Sequence, residues 1–241
     1  MNAENQDNDE SVYMFTGAEF LSADVRINPR TSVYLLPEPL TFSEPATATF
    51  FVAHYPRTLM EAVYNEACVL LHAQDEKGPA LFNSWIVVDD DEMMIGGREN
   101  LGCPKKMAEI TLVEDGDKVT GSVIRKGIEV LRLETTLGES IEGLRFFASH
   151  RMVNAIGIPL TGMKLYDIPP VGERLHHARH ASGTLTVNPS ERDPLSVMEP
   201  GPAINAQYFT MDFGIPRLEV GTLTTDIGGE WIARNYMERQ R

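Results

Sequence analysis

Three consecutive strand-like segments joined by very short turns place the strongest constraint on the fold. Residues 107–113, 118–125 and 128–136 are rich in β-branched and apolar residues, and the intervening residues 114–117 and 126–127 each contain a glycine. Strands connected by such short glycine-containing turns pair as antiparallel hairpins. The sequence therefore predicts a three-stranded antiparallel meander in the middle of the chain.

Further strand patterns lie on both sides of this meander. Residues 47–55, 64–73, 80–88 and 181–187 combine β-branched, aromatic and apolar residues, which favours strands. Residues 228–241 carry apolar side chains at helical spacing and predict a C-terminal amphipathic helix. We predict an α+β fold that is mostly antiparallel β, with a closed or cone-like β-barrel core and a few peripheral helices.

The chain has the length of a single domain with a sizeable core. Residues 1–12 are polar and acidic and predict a disordered tail, so that residues 13–241 form one domain. No basic start followed by an apolar stretch is present, and no apolar run has membrane-spanning length. The expected location is the cytoplasm.

Charge and cysteine content exclude several classes of function. The 35 acidic residues against 21 basic ones give a net charge of −14, which repels nucleic acids and anionic membranes. Any binding site for an acid must therefore be locally positive. Cys68 and Cys103, the only cysteines, have neither metal-ligand spacing nor the number needed for a disulfide framework.

Two polar clusters have an ordinary structural interpretation. Asp89, Asp90 and Asp91 are adjacent, which is typical of a solvated turn or a helix N-terminus. His176 and His180 have the spacing of a helical metal pair. The nearby arginines of residues 174–179 oppose a cation, however, and we expect this segment to be a mobile polar loop without a metal.

The adjacent lysines Lys105 and Lys106 follow Pro104 in an otherwise small and apolar stretch. A lysine held beside a second cation or in an apolar pocket loses affinity for its proton and becomes an amine nucleophile near neutral pH. Two solvated lysines at the start of a strand are the simpler interpretation of the pair alone. On a strand, moreover, consecutive side chains point to opposite faces, which would leave desolvation to activate Lys105.

Glu66 lies inside an apolar strand pattern, two residues after Tyr64. Strand alternation places the two side chains on one face. Because a buried carboxylate is costly unless it is paired, either this face is wet or Glu66 has a partner such as Lys105. In the second case Glu66 is a candidate proton donor and acceptor, with Tyr64 as its hydrogen-bonding partner.

Together, Tyr64-x-Glu66, Gly97-Arg98-Glu99 and Pro104-Lys105-Lys106 resemble the acetoacetate decarboxylase family, most clearly over residues 35–136. The resemblance implies that Lys105 forms a Schiff base, that Lys106 is its neighbour, and that the protein is a homo-oligomer needing no metal or other cofactor. This family is the standard example of a lysine activated by desolvation or by a neighbouring cation. Arg98 is a candidate for substrate binding, or for holding the turn that presents Lys105.

The sequence departs from the family pattern where a second glutamate and an N-terminal arginine are expected. Phe51 occupies the glutamate position and Ala18 lies near the arginine position. Phe51 would then form an apolar substrate-binding wall, while Arg26, Arg30 or Arg151 could bind a carboxylate. These changes leave acetoacetate in doubt as the substrate.

The predicted function is that of a Schiff-base lyase acting on a small oxo acid or ketone. Decarboxylation of a β-keto acid is one form of this chemistry, and aldolase–dehydratase chemistry on pyruvate plus an aldehyde is the alternative. A relative that binds a small molecule without turnover, and a metal-dependent enzyme using His176, His177 and His180, are the competing hypotheses.

Overall fold

The computed structural model describes residues 12–58, 60–216 and 221–240. The predicted acidic tail, residues 1–12, lies outside the described residues except for Val12, with which the first strand begins. None of the helices in the described part of the chain is both long and apolar enough to cross a membrane.

Fourteen β-strands and three α-helices make up the described chain, with short 3-10 turns at Val33–Leu35 and Ser196–Met198. In chain order the elements are β1 (Val12–Arg26), α1 (Pro29–Ser32), β2 (Thr41–Phe42), β3 (Thr47–Tyr55), β4 (Tyr64–Asp75), β5 (Gly78–Val88), α2 (Asp91–Leu101), β6 (Lys105–Met107), β7 (Glu109–Asp115), β8 (Lys118–Arg125), β9 (Ile128–Ser140), β10 (Arg151–Ile158), β11 (Gly162–Ile168), β12 (Glu173–Val187), β13 (Ala203–Pro216), β14 (Thr222–Asp226) and α3 (Gly229–Gln240).

All these strands belong to one sheet. Its path runs β14-β11-β10-β5-β4-β3-β1-β13-β12-β9-β8-β7, with β2 paired to β4 and β6 paired to β5. Pairing is antiparallel except between β5 and β6 and between β5 and β10. The prediction of a mostly antiparallel α+β fold is confirmed. The predicted closure of the sheet into a barrel is not confirmed, because the end strands β14 and β7 do not pair with each other in the described chain.

The predicted meander forms as β7, β8 and β9, with Asp115 opposite Lys118 and Arg125 opposite Ile128 at its two turns. It begins at Glu109 instead of residue 107. The preceding Lys105–Met107 forms a separate short strand, β6, which runs parallel to β5. This change of partner separates the lysine pair from the meander and attaches it to the centre of the sheet.

The segment around His176 is part of strand β12, so the prediction of a mobile polar loop is wrong. Backbone pairing to β13 on one side and β9 on the other holds β12 in the sheet. His176 Nε2 lies 2.8 Å from Asp212 Oδ1. No group of three metal-ligating side chains occurs among the described residues, and on a strand the spacing of His176 and His180 is not that of a helical metal pair.

Strands β3, β4 and β5 are buried on both faces, which explains their near-continuous apolar sequences. Alternation sends Phe50 and Val52 into one apolar cluster and Phe51 into another. The C-terminal helix α3 covers the first cluster through Trp231 and Ile232, as its apolar spacing predicted. The second cluster surrounds the cavity described next.

Candidate active site

A cavity of about 310 Å³ lies on the Phe51 face of the central strands. One wall is aromatic and comes from β1, β3, β13 and the loop after β9. The lining also includes three asparagine amides, from β5, α2 and β10, which we call the amide wall. The aromatic wall comprises Phe15, Phe51, Tyr55, Phe147 and Phe213, and the amide wall comprises Asn83, Asn100 and Asn154.

Lys105 enters this cavity from the short strand β6. It pairs with Ile86 on β5, which in turn pairs with Cys68 on β4, and all three side chains line the cavity. The preceding helix α2 begins at an Asp90 cap, whose side chain accepts a hydrogen bond from the Met93 N–H at 2.8 Å. The acidic triplet is thus a helix N-terminus, one of its two predicted roles.

Helix α2 ends in a tight turn that directs the chain into β6. Gly102 has φ +67°, a left-handed conformation that glycine adopts without strain. The Cys103 N–H donates to the Gly97 carbonyl oxygen at 3.1 Å. Arg98 Nη1 donates to the Lys105 carbonyl oxygen at 2.9 Å. The Gly97-Arg98 pair therefore fixes the backbone from which the lysine side chain projects.

Gly97 also makes room for the lysine side chain itself. A Cβ atom at position 97 would lie 2.6 Å from both Cδ and Cε of Lys105, whereas one at Gly96 would meet nothing nearer than Asn100 Nδ2 at 3.9 Å. The helix therefore passes close against the lysine because residue 97 has no side chain.

We expect Gly97→Ala to reduce covalent reaction at Lys105 with a ketone by about a hundredfold, since a displacement near 1 Å at a reacting group has an effect of that size. Gly96→Ala is the matched control, because both substitutions add the same methyl group to the same helix. Imine formation followed by mass spectrometry, with thermal unfolding in parallel, makes the comparison. Equal loss in both variants would contradict the proposed role of Gly97.

A charged pair lies on the wall of the cavity. Lys105 Nζ is 2.9 Å from Glu66 Oε2, and both residues are 6% exposed. The Tyr55 hydroxyl donates to Glu66 Oε1 at 3.1 Å. Glu66 and Lys105 are thus brought together as predicted, and the carboxylate has a partner on each oxygen.

Tyr64 has a different position from the one predicted. The hydrogen-bonding partner of Glu66 is Tyr55, while the Tyr64 ring centroid lies 5.4 Å from Lys105 Nζ. At this distance the ring face attracts an ammonium group through its quadrupole. The prediction of a hydrogen bond between Tyr64 and Glu66 is therefore corrected to a contact between the Tyr64 ring and the lysine.

The pKa of Lys105 is raised, whereas the sequence led us to expect a lowered pKa. Burial lowers the pKa of Lys105, but the Glu66 carboxylate, aided by the nearby thiols, raises that pKa more, so the net pKa lies above its ordinary value. Burial, followed by the Glu66 charge, raises the pKa of both Tyr55 and Tyr64 well above the usual range. These shifts favour the neutral form of the two tyrosines and the ammonium form of Lys105.

Lys106 lies on the other face of β6, as alternation along a strand requires. Its Nζ is 3.6 Å from Asp193 Oδ1 and 3.4 Å from the Arg192 carbonyl oxygen, to which it donates. The same Asp193 carboxylate accepts hydrogen bonds from Arg125 Nε and Trp85 Nε1. The assignment of Lys106 to the catalytic group is thus corrected, because its ammonium is bound in a buried network outside the cavity.

In Lys106→Met, the rate of Lys105 acylation at each pH is expected to stay within about a factor of three of the rate in the parent protein, because the two ammonium groups do not face each other. The free energy of unfolding should change instead, since a member of a buried ionic network is lost. Acylation of Lys105 measured against pH, with urea unfolding of the same samples, tests this. A large shift in the titration of Lys105 would restore Lys106 to the catalytic group.

The other predicted binding residues divide between the cavity and distant sites. Phe51 is 2% exposed and lines the cavity. Arg98 contacts the backbone of Lys105 and so has the turn-holding role. Arg151 lies outside the lining and forms ion pairs with Asp75 and Asp167, which corrects its assignment as a substrate-binding residue.

Arg26 and Arg30, the other arginines considered for a carboxylate, are exposed and do not line the cavity either. Sequence reasoning also missed Tyr55 and the asparagine wall. Tyr55 pairs with Tyr64 across β3 and β4, so the register of this strand pair, once known, places it beside Glu66. The asparagines carry no such signal, because they come from three separate elements.

Comparison with known proteins agrees with this architecture. The family model "Acetoacetate decarboxylase (ADC)" matches residues 1–223. The chain therefore belongs to the acetoacetate decarboxylase family. An acetoacetate decarboxylase of Burkholderia cenocepacia is 31% identical over 111 residues, a segment that spans 46% of this chain and 45% of that relative.

Solved structures show the same fold. The crystal structure of acetoacetate decarboxylase from Legionella pneumophila gives a TM-score of 0.78 at 18% identity, covering 94% of this chain and 93% of that one. The enduracididine biosynthesis enzyme MppR complexed with pyruvate gives 0.73 at 18% identity, covering 89% and 91%. At these identities the likeness establishes the fold alone.

Proposed function

We propose that this protein is a carbon–carbon lyase that forms an iminium ion between Lys105 and a small ketone or oxo acid. The observation that supports it is the buried contact of 2.9 Å between Lys105 Nζ and the Glu66 carboxylate, in a cavity whose other described lining residues are uncharged. A buried ion pair stabilises a fold only weakly compared with apolar side chains of similar size. Its presence on a cavity wall is typical of a functional site.

Glu66 generates the nucleophile in this proposal. One proton passes from the Lys105 ammonium to Glu66 along their contact, which gives a neutral amine and a carboxylic acid without net charge transfer to solvent. The amine attacks the ketone carbon, and one of its protons moves to the former carbonyl oxygen. Glu66 then donates its proton to the hydroxyl group, water leaves, and the iminium cation faces the restored Glu66 carboxylate.

With a β-keto acid the next step is decarboxylation. The bond to the carboxylate breaks, its electron pair neutralises the iminium as an enamine, and carbon dioxide leaves. Glu66, protonated from solvent, delivers that proton to the enamine carbon and regenerates the iminium ion. Water then adds to the iminium carbon and Glu66 takes the proton that this water loses. Collapse of the carbinolamine releases the ketone, and the proton on Glu66 passes to the Lys105 amine, which restores the starting ion pair. The apolar wall at Phe51 supports this step, because a carboxylate removed from water gains by losing its charge.

Aldol condensation followed by dehydration is the second candidate, and the cavity volume favours it. About 310 Å³ corresponds to the volume of about ten water molecules, more than acetoacetate or pyruvate fills alone. MppR has been solved with the condensation product of pyruvate and imidazole 4-carboxaldehyde. Here Glu66 would remove a proton from the methyl carbon of the pyruvate iminium. The resulting enamine would attack the aldehyde carbon while Glu66 returns the proton to the aldehyde oxygen. Glu66 would then remove a second proton from the same methyl-derived carbon and donate it to the new hydroxyl group, which leaves as water before hydrolysis frees the product.

Product analysis separates these functions. The protein is incubated with acetoacetate while carbon dioxide is measured, and in parallel with pyruvate plus benzaldehyde while the conjugated product is followed by its absorbance. Release of carbon dioxide supports the first candidate and appearance of the conjugated product the second. A protein that binds these compounds but turns over neither would support the alternative of a non-catalytic binding relative.

Self-association and a cytoplasmic location remain predictions from the sequence. We propose a homo-oligomer on the family resemblance, and light scattering of the purified protein tests it. The proposed reaction uses only side chains of this chain, and the expectation that it needs no metal or other cofactor is tested by activity after treatment with a chelator.

A further inference from the structure

The charged residues that line the cavity limit the class of substrate that it can bind. Among the described lining residues, Lys105 and Glu66 alone carry a formal charge, and each neutralises the other. None of the described arginines lines the cavity. Arg98 is held by the Lys105 carbonyl, Arg125 by Asp193 and Arg151 by Asp75 and Asp167. A carboxylate at the end of the substrate away from the reacting carbonyl would therefore find no cation among the described lining residues.

The aromatic wall provides a surface for a flat apolar group. Phe15 stacks on Phe213 with ring centroids 4.6 Å apart, and Phe51 meets Phe20 edge-on at 5.5 Å. Phe147 closes this wall from the loop after β9, where the Glu173 carboxylate accepts its backbone N–H at 2.7 Å. These rings are fixed by one another and by the loop, which pre-organises the wall for a planar ligand.

The amide wall is polar but neutral, and internal hydrogen bonds hold it in place. Asn154 Nδ2 donates to the Leu101 carbonyl oxygen at 2.8 Å, and Asn83 Oδ1 accepts from the Cys68 thiol at 3.3 Å. Outside the cavity, the net charge of −14 repels a second anionic group at long range. The described residues of both walls therefore supply no formal positive charge for a distal anionic group, and the net charge of the protein opposes one.

We propose that the part of the substrate away from the reacting carbonyl is an uncharged, largely apolar group of about the size of a phenyl ring. It packs against the aromatic wall, while the carbonyl carbon reaches Lys105. This inference rests on the proposed iminium chemistry and specifies its substrate class. It applies to a β-keto acid with an apolar side chain and equally to an apolar aldehyde condensed with pyruvate.

Three methyl ketones test the proposal: acetone, benzylacetone and the para-carboxylate derivative of benzylacetone. Each is incubated with the protein and borohydride, and the rate of adduct formation at Lys105 is measured against ketone concentration. We expect benzylacetone to reach half-maximal trapping at a concentration at least tenfold below that of acetone. The carboxylate derivative should need at least tenfold more than benzylacetone.

Equal trapping of acetone and benzylacetone, or trapping of the carboxylate derivative as efficient as that of benzylacetone, would overturn the proposal while leaving the iminium chemistry intact. Failure of every ketone, including acetone, to label Lys105 would instead overturn the proposed function.

Two substitutions of Phe51 test whether its ring contacts the apolar end of the ketone. Phe51→Leu removes the ring with little change in polarity and should lower the ratio of benzylacetone to acetone trapping by about threefold or more. Phe51→Arg places a cation in the wall and should raise trapping of the carboxylate derivative relative to benzylacetone. Because each variant is judged by a ratio between ketones, a general loss of folded protein cancels. Unchanged ratios in Phe51→Leu would contradict the proposed contact.

Discussion

Substitution of Lys105 by methionine is expected to abolish turnover, with a loss of at least about a thousandfold, because no other described lining residue carries an amine. Methionine preserves the length and most of the apolar volume of the lysine side chain. The partner Glu66 is then left without its cation and keeps the hydrogen bond that it accepts from the Tyr55 hydroxyl.

Initial rates on the substrate identified by product analysis check this prediction, with circular dichroism to confirm the fold. Lys118→Met is the matched control, since Lys118 is an exposed lysine at the start of β8. Turnover retained in Lys105→Met would contradict the assignment of the nucleophile, and an equal loss in Lys118→Met would indicate a general effect of removing a lysine.

Glu66→Gln should make Lys105 react faster with an acylating reagent and should slow catalysis. The carboxylate that raises the pKa of Lys105 is removed while the burial that lowers it remains, so this pKa should fall. More neutral amine is then present near pH 7, and acylation of Lys105 should become faster. Catalysis should nevertheless fall by about a hundredfold to ten-thousandfold, because the group that moves protons in every step is lost.

Acylation of Lys105 from pH 6 to pH 10, mapped by mass spectrometry, tests the first effect, and turnover of the same protein tests the second. The pH at which Lys105 is half-reactive should be lower in Glu66→Gln than in the parent protein. A half-reactive pH that is unchanged or higher would show that Glu66 does not control the lysine, and full turnover would show that Glu66 is not the proton carrier.

The central strands could be predicted from sequence because they are buried on both faces. Residues 47–55 match β3 at both ends, since every position from Ala48 to Ala53 is buried and therefore apolar or small enough to pack. The meander could be predicted equally well, because its turns are short and each contains a glycine. Local sequence determines these elements.

Strand β12 shows why parts of other elements were missed, since its second half was predicted as a strand over residues 181–187 but its first half was expected to be a loop. Much of its surface is exposed, and its polar run from His176 to His180 has no apolar periodicity. Backbone hydrogen bonds to β13 and β9, which depend on the rest of the sheet, hold it in place. The short strand β6 is similar, because its parallel pairing to β5 places Lys105 beside Cys68 and Ile86 only after the sheet has formed.

The sequence allowed the reactive residues of the candidate site to be predicted, but not all of the contacts between them. Lys105 and Glu66 were found because buried ionisable residues in apolar segments are unusual, and the opposite placement of Lys106 follows from strand alternation. Tyr55 could not be chosen over Tyr64 without the register of β3 on β4. The raised pKa of Lys105 likewise depends on the distance to Glu66, which no spacing in the sequence specifies.

Borohydride reduction in the presence of a ketone, followed by peptide mass mapping, decides whether Lys105 forms an iminium ion. We expect a single stable adduct on Lys105, formed near pH 7 and absent from Lys105→Met. No adduct in the parent protein, or an adduct spread over exposed lysines such as Lys118 and equally abundant in Lys105→Met, would contradict it.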